Sequence, residues 1–359
     1  MPATLRPEID TRLREGVVIP AHPLALDANR KLDSQRQSAL TRYYLESGAG
    51  GVAVGVHTTQ FEIRQHGLYE EVLSIAAETA KSTVTKAPPI MVAGVIGETK
   101  SALKEAELAK SLGYDIALVG LGGLGDWSDD QLVDHIREVT EVLPVFGFYL
   151  QPSVGGRPLG YDFWRKIADL EGVKAIKMAP FNRYYTLDVV RAVCESDRWD
   201  DITLYTGNDD NIVADLLTTY RFDVNGESRE KRIVGGLLGH WAVWTHSVVG
   251  LLDRVHQALD SGSRDEILEL LTINAEITDA NAAFFDPQHG FAGCIAGIHE
   301  VLRRQGLLEG IWCLNPDETL SPGQSDEIDR VLAAYPDLND DAFVAEHLSS
   351  WLAEDGATR

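Results

Sequence analysis

Two runs decide the fold: Val145-Phe146-Gly147-Phe148-Tyr149 and, 23 residues further on, Val173-Lys174-Ala175-Ile176-Lys177. Each is a short apolar run that closes on a side chain able to do chemistry. Between them, Leu159 to Leu170 places Phe163, Ile167 and Leu170 about one turn apart, the spacing of an amphipathic helix. Side chains alternate along a strand, which predicts Val173, Ala175 and Lys177 on one face and Lys174 and Ile176 on the other. Strand, helix, strand is the repeating unit of a parallel α/β barrel, whose active sites lie at the C-terminal ends of the strands. Lys177 and Tyr149 are therefore the candidate catalytic residues. A desolvated lysine can lose its proton and attack a carbonyl carbon as a Schiff-base nucleophile. A phenol nearby can relay protons. A lone strand-end lysine is more often a solvated surface charge, and it is the wider pattern that favours chemistry.

That pattern extends in both directions. Candidate strands fall at 17–20, 51–55, 90–94, 115–119, 145–149, 173–177, 202–206 and 233–240. Helical stretches lie near 34–47, 69–84, 100–112, 128–140, 160–169, 184–196, 209–219 and 245–260. Eight alternations are the count of a (β/α)8 TIM barrel. The polar run 220–232, with Asn225-Gly226 as its turn, reads as an exposed loop before the eighth strand. After residue 260 the strand signal stops, and helices are expected over 266–285, 292–305, 324–334 and 340–353. The expected organisation is a barrel over 1–260 with a C-terminal helical segment over 261–359 packed on it.

Bulk properties exclude several classes. Against 32 Lys and Arg stand 55 Asp and Glu, a net charge of −23, which repels nucleic acid and anionic membrane surfaces. No run approaches the ~18 apolar residues of a membrane span, and the first 16 residues lack a signal peptide's apolar stretch. A cytoplasmic enzyme is the expectation. Cys194, Cys294 and Cys313 are widely spaced and imply no disulfide framework.

At the motif level the chain resembles the dihydrodipicolinate synthase / N-acetylneuraminate lyase family of Schiff-base aldolases, over about residues 16–335. Tyr149-Leu150-Gln151-Pro152 is similar to the family's Tyr-x-x-Pro motif, and Ala175-Ile176-Lys177 to its Ile-Lys strand end. Tyr205-Thr206-Gly207-Asn208-Asp209-Asp210 resembles its Ser-Gly-Asp-Asp strand end, with Gly207 facing the substrate. The resemblance implies a covalent imine on Lys177, no cofactor, a small 2-keto acid substrate and a homo-oligomer, dimer or tetramer. It implies that Thr58 or Thr59 completes the proton relay of Tyr149, and that the Thr58–Thr59 amides with Gly207 hold the carboxylate.

Departures narrow the activity. The family's strand two ends in Gly-Thr-Thr-Gly-Glu, whereas Gly55-Val56-His57-Thr58-Thr59-Gln60 stands here, so either Thr58–Thr59 or Val56–His57 takes the threonine positions. Strand four ends in Gly120-Leu121-Gly122-Gly123-Leu124-Gly125, without the tyrosine that reaches a neighbouring subunit in the synthases. Val154 replaces the arginine that grips the synthases' second substrate. The reading is a lyase, aldolase or dehydratase, that is not a true dihydrodipicolinate synthase.

Rival chemistries are also legible. The glycine run 120–125 fits G-x-G-x-x-G, but no helix starts inside it, and a loop over the barrel mouth is the better reading. His22, His57 and His240 end neighbouring strands and could together hold zinc in a hydrolase. With no His-x-His pair or bridging carboxylate, the preferred reading gives no metal and assigns His57 and His240 to substrate groups. Asp209-Asp210 reads as a helix N-cap. A barrel without catalysis, serving only to bind a ligand, is the third alternative.

Overall fold

The computed structural model describes residues 2–353. Among these residues nine strands form one sheet: β1 Val18–Pro20, β2 Gly51–Val54, β3 Ile90–Val95, β4 Ile116–Val119, β5 Val145–Leu150, β6 Val173–Ala179, β7 Thr203–Thr206, β8 Thr219–Val224 and β9 Glu227–Leu238. Eight of them, all but β8, run parallel in the order β1-β9-β7-β6-β5-β4-β3-β2. Between β2 and β1 the ring is closed by a parallel bridge, Ala21 to Ala53, where the His22 N–H donates to Ala53 O at 2.8 Å. The result is a (β/α)8 barrel with helices between successive strands.

The strands are apolar on both faces because each face meets a core. Inside the barrel, Ile19, Val92, Ile116, Phe146, Ala175 and Leu237 form one cluster. A second cluster fills the layer between strands and helices. The helix Pro7–Glu15 plugs the N-terminal end with Ile9 and Leu13, and the Tyr205 hydroxyl donates to Leu13 O at 2.9 Å. Closing that end leaves the C-terminal ends of the strands as the open mouth.

Two local expectations need correcting. The polar run 220–232 is a β-hairpin: β8 pairs antiparallel with the first half of β9, Thr219 opposite Arg232 and Val224 opposite Glu227. Asn225 and Gly226 have φ of 55° and 86°, the left-handed pair that a two-residue hairpin turn requires. Its strands are polar because both faces are largely in solvent, which hid the alternation. Along β6, the register with β5 shifts after Val145–Val173, so that Phe146 opposes Ala175. Val173 consequently joins the outer layer, and only Ala175, Lys177 and Ala179 share the inner face.

After the helix Thr245–Ser261, the helices Arg264–Phe285, Cys294–Arg304, Gln324–Ala334 and Asp341–Trp351 follow. Ile277, Phe284 and Ile298 share the outer core with Val243 and Trp244 of the barrel. Among the described residues, no helix is long and apolar enough to cross a membrane.

Candidate active site

The mouth of the barrel narrows to a cleft whose charged groups are Lys177 and Asp209. Lys177 reaches it because β6 alternates: Ile176 and Met178 pack against helices, and Lys177 turns inward between Ala175 and Ala179. Only 8% of the residue is exposed. Its stem lies over Gly207, where a Cβ would come 2.5 Å from Lys177 Cε and 2.9 Å from Ala179 Cβ. The glycine at the end of β7 is thus what leaves space for the lysine. Nζ stands 4.4 Å from the centroid of the Phe148 ring, a cation–π contact. Burial pulls the ammonium pKa below its ordinary value, and the nearby Asp209 carboxylate offsets part of that shift.

Tyr149 is not in the cleft. In the β5–β6 register Phe148 opposes Lys177 and Tyr149 opposes Met178. Paired residues point to the same side, so Phe148 and Leu150 face inward and Tyr149 faces the helices. It is fully buried there, 5.3 Å from Trp164 and stacked at 5.9 Å on Tyr185, and its hydroxyl accepts the Leu159 N–H at 3.0 Å. Burial pushes the phenol up to about 12. The expected Lys177–Tyr149 pair is therefore corrected to Lys177–Phe148.

The loop after β2 divides its side chains between site and scaffold. His57 lines the cleft, edge-on to Phe61, and burial, reinforced by the Lys177 charge, lowers its pKa to about 4. It is a neutral imidazole. Thr58 also lines the cleft, its hydroxyl donating to Ala21 O at 2.8 Å. Thr59 lies behind them, accepting from the Gly55 and Val56 amides and donating to His22 O at 2.6 Å. Its amide donates to Val56 O at 3.0 Å, so neither its hydroxyl nor its N–H is presented to a substrate. That corrects the substrate-binding expectation for Thr59.

The three rim histidines diverge. His22 turns to the helix Ser34–Glu46, with Nε2 2.9 Å from Thr41 Oγ1 and Nδ1 2.8 Å from Pro23 O. His240 lies among Trp244 and Phe284, outside the barrel. Only His57 faces the cleft, and no cluster of three metal-binding side chains occurs among the described residues. The expectation that His240 contacts substrate is likewise corrected: its contribution is a backbone N–H, donated to Asp209 Oδ1 at 2.9 Å.

Asp209 is the residue that sequence reasoning misplaced. The helix after β7 begins only at Ile212, with Asn211 at its N-cap, so Asp209 caps nothing. It sits at the cleft wall, 9% exposed, with Asn281 Nδ2 donating to its backbone oxygen at 2.7 Å. Burial raises its carboxyl pKa far above the usual carboxylate range, against the opposing pull of the His240 amide and Lys177. The C-terminal helices supply the remaining wall through Phe285, Phe291 and Cys294. The glycine loop 120–125 does not line the cleft; Arg157 holds it down, donating to Trp127 O at 2.8 Å, and Leu121 and Leu124 are buried in the outer core.

The model of the family described as Dihydrodipicolinate synthetase matches residues 15–220. The chain belongs to that family. N-acetylneuraminate lyase of Citrobacter koseri is 28% identical over 203 residues, which is 56% of this chain and 65% of the relative. The match thus spans slightly less than two thirds of that relative. Among solved structures, dihydrodipicolinate synthase from Oceanobacillus iheyensis superposes with a TM-score of 0.71 at 18% identity, covering 92% of this chain and 98% of the other. A prophage protein of the same family from E. coli K12, determined in complex with pyruvate, gives 0.70 at 16% identity, over 89% and 98%. At these identities the superpositions speak to the fold.

In this member of the dihydrodipicolinate synthetase family, Lys177 stands near the end of β6 with its stem over Gly207. Its phenol in the Tyr-x-x-Pro motif is turned outward, and Val154 lines the cleft. No signal in the single sequence separated Phe148 from Tyr149, since both are aromatic and adjacent. Asp209 could have been suspected from its place two residues after Gly207.

Proposed function

We propose that the protein is a Schiff-base lyase, aldolase or dehydratase, acting on a 2-keto acid with Lys177 as nucleophile. The observation that carries this is the buried Lys177 at the barrel mouth, its ammonium destabilised by burial in a cleft that Gly207 keeps open. A neutral amine adds to the keto carbon, water leaves, and the iminium draws the electrons of the C–C or C–O bond that breaks. No cofactor is required for this step. His57 and Thr58 stand beside the lysine to orient the substrate, and Gly207 lets its carboxylate approach the backbone. Family membership supports the reading and extends it to a homo-oligomer in the cytoplasm, for which sedimentation velocity and fractionation are the tests.

The cleft argues against dihydrodipicolinate synthesis. Val154 offers no cation to a second carboxylate, and Arg157 is committed to the 124–127 backbone and Asp129. Longer 2-keto acids such as deoxy sugar acids, whose hydroxyls His57 or Gln151 would bond, suit the lining better. The direct test is borohydride reduction with pyruvate, read by intact mass and peptide mapping. An adduct on Lys177 sustains the proposal; the absence of any adduct, or one on Lys174, overturns it.

A further inference from the structure

With the phenol of Tyr149 turned away, the proton traffic of imine formation needs another carrier. We propose that Asp209 is the proton-transfer residue of this site, passing one proton between its carboxyl group, the Lys177 amine and the oxygen leaving the substrate. The inference rests on the Schiff-base reading above and adds the identity of its acid–base group.

Three observations on separate elements carry it. Asp209 and Lys177 line one cleft, from the ends of β7 and β6. The carboxylate is held: Oδ1 accepts the His240 N–H at 2.9 Å, and Oδ2 lies 3.8 Å from where a Cβ on Gly239, a residue of the cleft lining, would stand. Its backbone oxygen accepts from Asn281 of the helix Arg264–Phe285, so barrel and C-terminal helix fix the residue from both sides. The other titratable groups facing the pair are His57, Asp210 and Cys294. His57 is held neutral and Cys294 as a thiol, since burial raises the thiol pKa well above its ordinary value. Asp210 sits 3.9 Å from the Arg183 guanidinium.

Burial disfavours both ions of the pair while their mutual attraction favours both, so the two groups titrate as a unit, and the reactive arrangement of the one-proton state is free amine and carboxylic acid. The amine nitrogen bonds to the keto carbon while the carbonyl π pair moves to oxygen. Asp209 gives its proton to that oxygen, then as carboxylate takes one N–H proton from the adduct and delivers it to the same oxygen, which leaves as water. The products are an iminium on Lys177, one water and an Asp209 carboxylate facing the new cation. Atoms and charge balance with no further reactant.

The test is the pH dependence of single-turnover trapping with pyruvate and cyanoborohydride. A shared proton gives the wild type a bell-shaped rate profile, because the pair is inactive with two protons or none. Asp209→Asn should still label Lys177 to full stoichiometry, but about 10²- to 10⁴-fold more slowly. Its profile should rise with pH to a plateau, the high-pH limb gone. Tyr149→Phe and His57→Asn should keep that limb. A bell surviving in Asp209→Asn, or a rate within about threefold of wild type, overturns the inference while leaving the lyase reading intact. Absence of any wild-type adduct removes both. Should Asp209→Asn fail to fold, infrared difference spectra of the wild type on the acidic limb of its profile serve instead: imine formation there should bleach a protonated carboxyl band, and an unchanged band overturns the assignment.

Discussion

Replacing Gly207 by alanine tests whether the lysine's position, and not merely its presence, matters. The backbone does not resist the change, because Gly207 is not among the residues with positive φ. The obstacle is steric. A Cβ would stand 2.5 Å from Lys177 Cε, 3.1 Å from Lys177 Cγ and 2.9 Å from Ala179 Cβ. Restoring ordinary carbon contacts of ~3.5–4.0 Å requires the lysine end to retreat by roughly 1–1.5 Å. The Phe148 ring stands on the lysine already, and Ala179 Cβ is fixed to the strand, so neither can absorb the displacement. Misplacing a reacting group by about 1 Å costs on the order of 10²-fold in rate, and overpacking a tight interior costs about 1–3 kcal/mol. Gly207→Ala should therefore form the imine about 10²-fold more slowly, with a modest loss of stability in denaturant. Trapping kinetics read beside an unfolding curve separate the two effects. Imine formation within about threefold of wild type, in a folded variant, would show that the cleft at Gly207 is not where the substrate carbon meets Nζ.

Other expectations follow from the same geometry. Lys177→Ala should abolish the reducible adduct with the fold intact, since it removes a charge that burial disfavours and leaves the strand backbone unchanged; residual labelling in peptide maps would refute the assignment. Tyr149→Phe strands the buried Leu159 N–H, so it should cost about 1–3 kcal/mol in chemical denaturation while turnover changes only a few-fold; a hundredfold loss of turnover would place the phenol in the reaction after all. No condensation of pyruvate with aspartate semialdehyde is expected, and efficient product formation in a coupled assay would show that Val154 is no barrier. Burial lowers His22, His57, His240 and His299 to about 4, so the folded chain binds fewer protons than the unfolded chain, whose histidines titrate near ~6.5. These groups make stability rise with pH across that window and fall on acidification through it. His22→Gln should flatten the dependence by up to about one proton, and identical slopes in wild type and variant would refute the buried neutral imidazole.

The barrel itself was legible from local pattern. Continuous apolar runs such as 90–94 and 145–149 alternate with helical periodicity, and a strand buried on both faces can hardly be written otherwise. Lys177 stood out because a charge closing a strand must either reach solvent or act. What local pattern could not decide was which neighbours share its face. Alternation along β5 leaves two choices, Phe148 with Leu150 inward or Tyr149 inward, and a shift of one residue exchanges them. Only the hydrogen-bonded ladder, with Phe148 opposite Lys177, selects between them. Asp209 was hidden for a related reason. Its placement depends on an amide 31 residues away and on Asn281 in a helix beyond the barrel, contacts that no spacing within 205–210 encodes. Residue type and periodicity thus determined the architecture and singled out Lys177, while the register between strands and the packing of the C-terminal helices decided which side chains stand beside it. Burial follows from a residue's own chemistry, but facing is a relation between two chains of contacts that meet only when the barrel closes.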